Sequence, residues 1–142
     1  MSEAEAQETG RETGVVTGGV NIILRLEGLT LFAGMVLLYA MWGGSWWVFG
    51  VLFFIPDLSF AAYLADPRTG AIVYNAAHCY MVPVSLMTAG FLLPDPLTLS
   101  IAFIWMAHIG IDRALGYGLK YRQGFGFTHL GRIGRKIQPK TT

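Results

Sequence analysis

The sequence predicts an all-α membrane protein with four transmembrane helices in an antiparallel, up-down bundle. Its 142 residues are 54% hydrophobic and only 13% charged, whereas soluble domains have about 25% charged residues. Four apolar runs have the roughly 20 residues that a helix needs to cross a bilayer. Because only short breaks separate these runs, neighbouring helices are expected to be antiparallel.

The four predicted spans are separated by strong helix breakers. Gly43 and Gly44 end the first run, Asp66-Pro67-Arg68 ends the second, and Pro94-Asp95-Pro96 ends the third; proline disfavours helix in the residue before it. The predicted domains are a disordered acidic tail (1–20), a transmembrane domain (21–121, with spans at about 22–41, 45–65, 70–93 and 97–119) and a basic cytoplasmic tail (122–142).

The distribution of charge predicts the orientation. Four spans place both termini and the 66–69 loop on one side of the membrane. That side has Arg68 and the six cations of residues 120–142, whereas the other two loops have no Lys or Arg. Cations in short loops mark the cytoplasmic side, so we expect a multi-pass protein of the inner (plasma) membrane with both termini cytoplasmic.

The same distribution predicts the partners of the chain. The basic tail lies beside an anionic leaflet, so we expect it to contact membrane lipid and not nucleic acid. The sequence leaves open whether the chain forms a homo-oligomer. The single cysteine, Cys79, excludes an internal disulfide and a CxxC motif.

Ionisable residues of all four spans fall at a similar depth. If each span is centred in the bilayer, His108 lies at the centre, with Asp57, His78, Asp112 and Glu27 within about 8 Å of it toward the cytoplasm. A charge inside the membrane costs about 3 kcal/mol or more, so such groups usually face the bundle interior and have a function. The sequence therefore predicts one polar site.

The residue types at this site indicate metal or acid–base chemistry. Two histidines and two carboxylates (Asp57, His78, His108 and Asp112) form a set that binds zinc or a similar divalent metal. We predict that these four are the catalytic residues and the metal ligands. Without a metal, Asp112 could orient His108 as a general acid–base. The predicted substrate- or headgroup-binding residues are Asn75, Arg113, Lys120 and His129.

Four segments resemble a family of small bacterial and archaeal integral-membrane proteins that is catalogued only as a domain of unknown function. They are PDLS (56–59), YNAAHCY (74–80), HIGIDRALGYGLKY (108–121) and THLGRIG (128–134). The resemblance covers roughly residues 24–134. It implies the membrane architecture and implies that the eight candidate residues above belong to the family's pattern, but it supplies no substrate.

Three classes of function remain open from the sequence. The chain could be an intramembrane enzyme that acts on a lipid-like substrate near the headgroups. It could instead be a small proton-coupled transporter, although transporters favour sites at the midplane. It could also be a membrane scaffold whose polar core fixes helix register, with Arg113 paired to Asp112 or Asp57.

Overall fold

The computed structural model describes residue 2 and residues 14–42 and 44–133. The glutamates of the predicted N-terminal tail and residues 134–142 of the predicted C-terminal tail lie outside these described residues. The elements, in chain order, are helices α1 (Gly18–Trp42) and α2 (Trp46–Phe53), a 3-10 helix (Ile55–Leu64), helices α3 (Pro67–Ala77), α4 (Met81–Leu92) and α5 (Pro96–Leu115), and strands β1 (Phe127–Thr128) and β2 (Gly131–Arg132).

Within the described residues, three stretches are long and apolar enough to cross a membrane. They are α1, the stretch Trp46–Leu64 formed by α2 and the 3-10 helix, and α5. The span expected at 70–93 is instead divided into α3 and α4, with the break at residues 78–80. Pro83 explains the break, because it has no N–H for the carbonyl of Cys79 and lies in the first turn of α4. The predicted four continuous spans are therefore not confirmed.

Helices α3 and α5 begin in the same way. Asp66 accepts hydrogen bonds from the backbone N–H (2.9 Å) and hydroxyl (2.6 Å) of Thr69, and Asp95 accepts the same two bonds from Thr98. The hydroxyl bond is the main reason that the pKa of each carboxyl is lowered. The two Asp-Pro-x-Thr segments are thus helix N-caps with proline in the first turn, and both helix starts are fixed locally.

Helix α5 is the central element and packs against α1, α2 and α4. The crossing of α1 and α5 is close because glycines meet there. A Cβ on Gly28 would lie 2.6 Å from Cβ of Arg113 and 2.7 Å from the carbonyl oxygen of Gly110. Small residues let two helix backbones touch in this way. Gly34, by contrast, has nothing within 4 Å of its Cβ position.

After α5 the chain folds back onto the bundle. Gly116 ends the helix with a left-handed backbone (φ 94°), and β1 pairs with β2 in an antiparallel hairpin. The hairpin contacts the start of the described chain: the N–H of Val16 donates to the carbonyl of His129 (2.8 Å), and the amide of Asn21 donates to the carbonyl of Leu130 (2.8 Å). The residues before α1 and after α5 are therefore neighbours. This hairpin was not predicted.

Candidate metal centre

Asp57 is positioned by an irregular segment in the second predicted span. Helix α2 ends at Phe53, and Pro56 lies in the first turn of the 3-10 helix that follows. A 3-10 helix of 10 residues is unusual, since runs longer than about four residues are uncommon and often mark functional positions. Asp57 lies one residue after this proline, with its carboxylate toward α5.

His78 is positioned by the break between α3 and α4. It is the C-cap of α3, and its ring Nδ1 lies 3.0 Å from the carbonyl oxygen of Tyr74. A carbonyl oxygen can only accept, so Nδ1 donates to it, and in the neutral ring Nε2 keeps its lone pair. The ring of Tyr74 stacks on the ring of His78 with centroids 3.8 Å apart. Both the tautomer and the plane of His78 are fixed.

His108 and Asp112 lie one turn apart on α5 and face the same direction. The ring of His108 is buried beneath the edge of Phe53, with the two ring centroids 5.1 Å apart. Phe53 ends α2, so the same break that positions Asp57 also covers His108.

Four atoms of these residues converge. Nε2 of His78 lies 3.6 Å from Oδ1 of Asp57, 3.4 Å from Oδ2 of Asp112 and 3.1 Å from Nε2 of His108. Nε2 of His108 lies 3.4 Å from Oδ1 of Asp57 and 3.5 Å from Oδ2 of Asp112. One ligand atom from each residue can be chosen so that all four lie within 4.8 Å of one another. The four residues that sequence depth grouped together thus form one cluster.

The spacing of this cluster fits a tetrahedral metal site. Ligands 2.0–2.1 Å from a zinc ion form a tetrahedron with edges of about 3.3–3.4 Å. The five distances above run from 3.1 to 3.6 Å, and the sixth edge, between the two carboxylates, lies within the 4.8 Å that bounds the whole cluster. The cluster therefore encloses a space in which all four atoms could reach one ion.

The charges of the cluster also favour a cation. The ion pairs of Asp57 and Asp112 within 4 Å, in the part of the chain that the structure describes, are all with His78 and His108. Two carboxylates this close together in an apolar bundle need a balancing charge. A divalent metal at the point where both carboxylates meet would supply that charge.

Arg113 does not form the ion pair that the structural interpretation expected. Its guanidinium donates to two backbone carbonyls, that of His78 (2.8 Å) and that of Tyr117 (3.0 Å). The expected pairing with Asp112 or Asp57 is wrong, because the side chain extends to the broken end of α3, where helix carbonyls lack partners. Arg113 holds the turn of His78 in place.

The other three predicted binding residues are used to hold the C-terminal segment. Asn75 donates to the carbonyl of Lys120 (2.8 Å) and accepts from its N–H (2.7 Å). Nδ1 of His129 accepts from the N–H of Leu119 (2.9 Å), and burial is the main reason that the pKa of His129 is lowered. Glu27 was grouped with these residues by its predicted depth in the bilayer, but its side chain is exposed and lies outside the cluster.

Lys120 is buried against aromatic rings beside the cluster. Its ammonium donates to the carbonyl of Phe125 (2.9 Å) and lies 4.9 Å from the ring centre of Tyr74. Burial lowers the pKa of Lys120 to about 8, although the charge of Asp112 acts in the opposite direction. Because Tyr74 stacks on His78, Lys120 contacts the cluster indirectly. Tyr74 was not among the predicted site residues, although its i, i+4 spacing from His78 put the two side chains on one face of a helix.

Comparison with known proteins identifies a family. Residues 21–133 match the sequence model of a family described as a domain of unknown function (DUF4260). No curated protein and no solved structure matches the chain. The predicted resemblance to an uncharacterised family is confirmed.

Proposed function

The chain belongs to the DUF4260 family, and from that premise we propose that it is an integral-membrane enzyme with a divalent metal ion held by Asp57, His78, His108 and Asp112. Zinc is the metal that fits best, and a lipid-like molecule is the substrate. The five interatomic distances of 3.1–3.6 Å carry this proposal, because they are close to five of the six edges of a zinc tetrahedron.

The surroundings of His78 support the proposal. Histidines that bind metals usually donate their second ring N–H to a carbonyl or carboxylate, which aims the free lone pair at the ion. His78 makes this contact with the carbonyl of Tyr74. Its Nε2 then meets Nε2 of His108 at 3.1 Å, and an ion between the two lone pairs makes that approach favourable.

Differences in side-chain exposure suggest which of the four residues bind the metal and which one accepts a proton. Zinc in catalytic sites keeps one position for water and lowers the pKa of that water to about 7. The side chain of Asp57 is 33% exposed, whereas those of His78, His108 and Asp112 are 1%, 3% and 15% exposed. We assign the three buried residues to holding the metal throughout, and Asp57 to the ligand position that would exchange with water, after which its free carboxylate would receive the proton of that water.

The reaction that follows is hydrolysis of an ester. The oxygen of water bonds to the ester carbon, and the bond from that carbon to the alcohol oxygen breaks. Asp57 takes one proton from the water and returns it to the departing alcohol oxygen, so that an acid and an alcohol result. No other reactant is needed.

The proposed enzyme crosses the membrane four times, with α3 and α4 together as one broken span. The hydrogen bonds from Val16 and Asn21 to the C-terminal hairpin support this, because they put the start of α1 and the end of α5 on the same side. An even number of crossings is then needed, and α3–α4 supplies the fourth. Broken helices are tolerated in membranes where they line a polar site. The cation distribution favours cytoplasmic termini in the plasma membrane.

Metal analysis of the detergent-purified protein tests the proposal. We expect about one zinc or similar ion per chain in the wild type and almost none in Asp112→Asn, because the amide cannot replace a buried anionic ligand. Asp57→Asn should keep the metal with weaker affinity. Asp66→Asn is the matched control: it removes a carboxylate outside the cluster, and asparagine also caps helices well, so metal content should not change.

Thermal unfolding tests whether the protein gains stability when a metal binds. A chelated wild type should unfold at a lower temperature and recover when zinc is added, since a ligand at 100 times its Kd stabilises by about 2.7 kcal/mol. A wild type that contains no metal and gains no stability from zinc, manganese or iron would refute the metal centre. It would leave the cluster as a hydrogen-bonded polar core.

A further inference from the structure

A cavity lies beside the metal ligands, between α2, the 3-10 helix, the end of α3 and helix α5. Its volume is about 310 Å³, at the lower end of the range for small-molecule sites. Six apolar side chains and one serine line it: Leu52, Ile55, Pro56, Ala77, Ile101, Trp105 and Ser59. The cavity suits a narrow, apolar ligand.

The lining residues connect this cavity to the cluster. Pro56 directly precedes Asp57, and Ala77 directly precedes His78. Trp105 lies three positions before His108 on α5, and residues three apart share a face of a helix. Its only polar atom, Nε1, donates to the carbonyl of Ala77 (2.7 Å), so the indole presents hydrocarbon to the cavity. The lining of the cavity therefore includes residues adjacent to two proposed ligands, Asp57 and His78, and one residue on the same helix face as a third, His108.

Ser59 supplies one free hydroxyl in this apolar lining. Hydroxyls in membrane helices usually bond back to the carbonyl four residues earlier, as Thr30, Ser85 and Thr88 do here at 2.8–3.0 Å. Oγ of Ser59 is buried and has no hydrogen-bond partner among the described residues. An unused buried donor is costly unless a ligand occupies it.

We infer that the cavity binds one hydrocarbon chain of a lipid substrate, with Oγ of Ser59 donating a hydrogen bond to its ester carbonyl. The assignment of the ester rests on the proposed hydrolytic function, whereas the binding of the chain does not require the metal. The hydrocarbon chain comes from a membrane lipid, because Ile55, which lines the cavity, is half exposed on a segment apolar enough to lie in the membrane. The substrate class is thus a fatty acyl ester.

Photo-crosslinking with palmitic acid that has a diazirine near its methyl end tests the chain site. In the wild type in detergent, we expect saturable labelling of the peptides that contain Leu52, Ala77 and Trp105, with competition by methyl palmitate. Ile101→Trp fills the cavity from α5 and should reduce this labelling at least fivefold. Leu97→Trp is the control, because Leu97 lies one turn earlier on the same helix, is exposed and does not line the cavity.

A second filling variant, Leu52→Phe, approaches from the opposite wall, so that the test does not depend on one folded variant. Ser59→Ala should weaken competition by methyl palmitate roughly three- to tenfold, the effect of one hydrogen bond, but leave competition by hexadecane unchanged. Unsaturable labelling, or equal labelling in Ile101→Trp, Leu52→Phe and Leu97→Trp, would overturn the inference.

Metal content measured on the same samples separates the two proposals. Protein that binds metal but shows no labelling in the cavity would retain the proposed centre and lose the chain site. Protein that is labelled in the cavity but holds no metal would retain the chain site and lose the enzyme.

Discussion

At the scale of single residues, the lowered pKa of Lys120 predicts how the free energy of unfolding depends on pH. Burial holds its pKa at about 8 in the folded chain, against 10.5 ordinarily. Below about pH 8 the amine is charged in both states, and its burial lowers the free energy of unfolding. Between about pH 8 and 10.5 the unfolded chain binds more protons than the folded chain, so stability rises with pH.

Thermal unfolding in detergent of the wild type and Lys120→Met checks this prediction. From pH 7 to pH 9.5 the stability of the wild type should increase relative to the variant by about 1–2 kcal/mol. Other titrating groups are common to both proteins and cancel in the difference. A difference that stays constant with pH would show that Lys120 is not desolvated.

The four residues of the cluster could be predicted from the sequence, but their supporting contacts could not. The expected depth of each residue in the bilayer was enough to group Asp57, His78, His108 and Asp112. Polar side chains at one depth in an apolar bundle are stabilised by contact with one another. Arg113 and Asn75 instead bond to backbone groups. Those backbone groups are free only where a helix ends or the chain folds back, and neither was evident from residue types.

At the scale of helices, the contact between α1 and α5 depends on Gly28. A methyl group at this position would meet Cβ of Arg113 at 2.6 Å and the backbone of Gly110, so the two helices would have to separate. We expect Gly28→Ala to lower the free energy of unfolding by about 1–3 kcal/mol. It should also weaken metal binding, because α5 holds two of the proposed ligands.

Gly34→Ala on the same helix is the control for this prediction. Nothing lies within 4 Å of its Cβ position, and alanine favours helix over glycine by about 0.5–1 kcal/mol. It should be neutral or slightly stabilising in thermal unfolding. If the two variants were equally stable, the close crossing of α1 and α5 would be wrong.

The helix boundaries show which signals in the sequence were sufficient to predict where a helix begins or ends. The Asp-Pro breaks were predicted as loops, and the structure shows that they also cap the helices after them. The break at His78 was missed because the hydropathy of residues 70–93 is continuous across it. Pro83 was the available signal, but proline interrupts the helix about one turn before its own position, which is where His78 lies.

At the scale of the whole molecule, the proposed metal centre is assembled from three separate segments. Asp57 comes from a 3-10 helix, His78 from a broken helix and the last two ligands from α5. Two of the three segments are irregular, and irregular backbone inside a membrane is tolerated only where protein or a polar cavity covers it. In the proposed four-span bundle, the irregularity of the second and third spans and the position of the cluster therefore have one explanation.

The proposed number of membrane crossings is supported by contacts between the two ends of the bundle. The bond from Val16 to His129 joins the residues before α1 to those after α5, and a chain with three crossings would put these residues on opposite sides. Reporter fusions at residue 142 and in the 66–69 loop should therefore both be cytoplasmic, and a fusion at Asp95 should be external. If α3 and α4 only entered and left one side, the fusion at Asp95 would match the 66–69 loop and the one at residue 142 would be external. That result would separate Val16 from His129 by the whole membrane, so it would refute the hydrogen bond between them together with the four-span bundle.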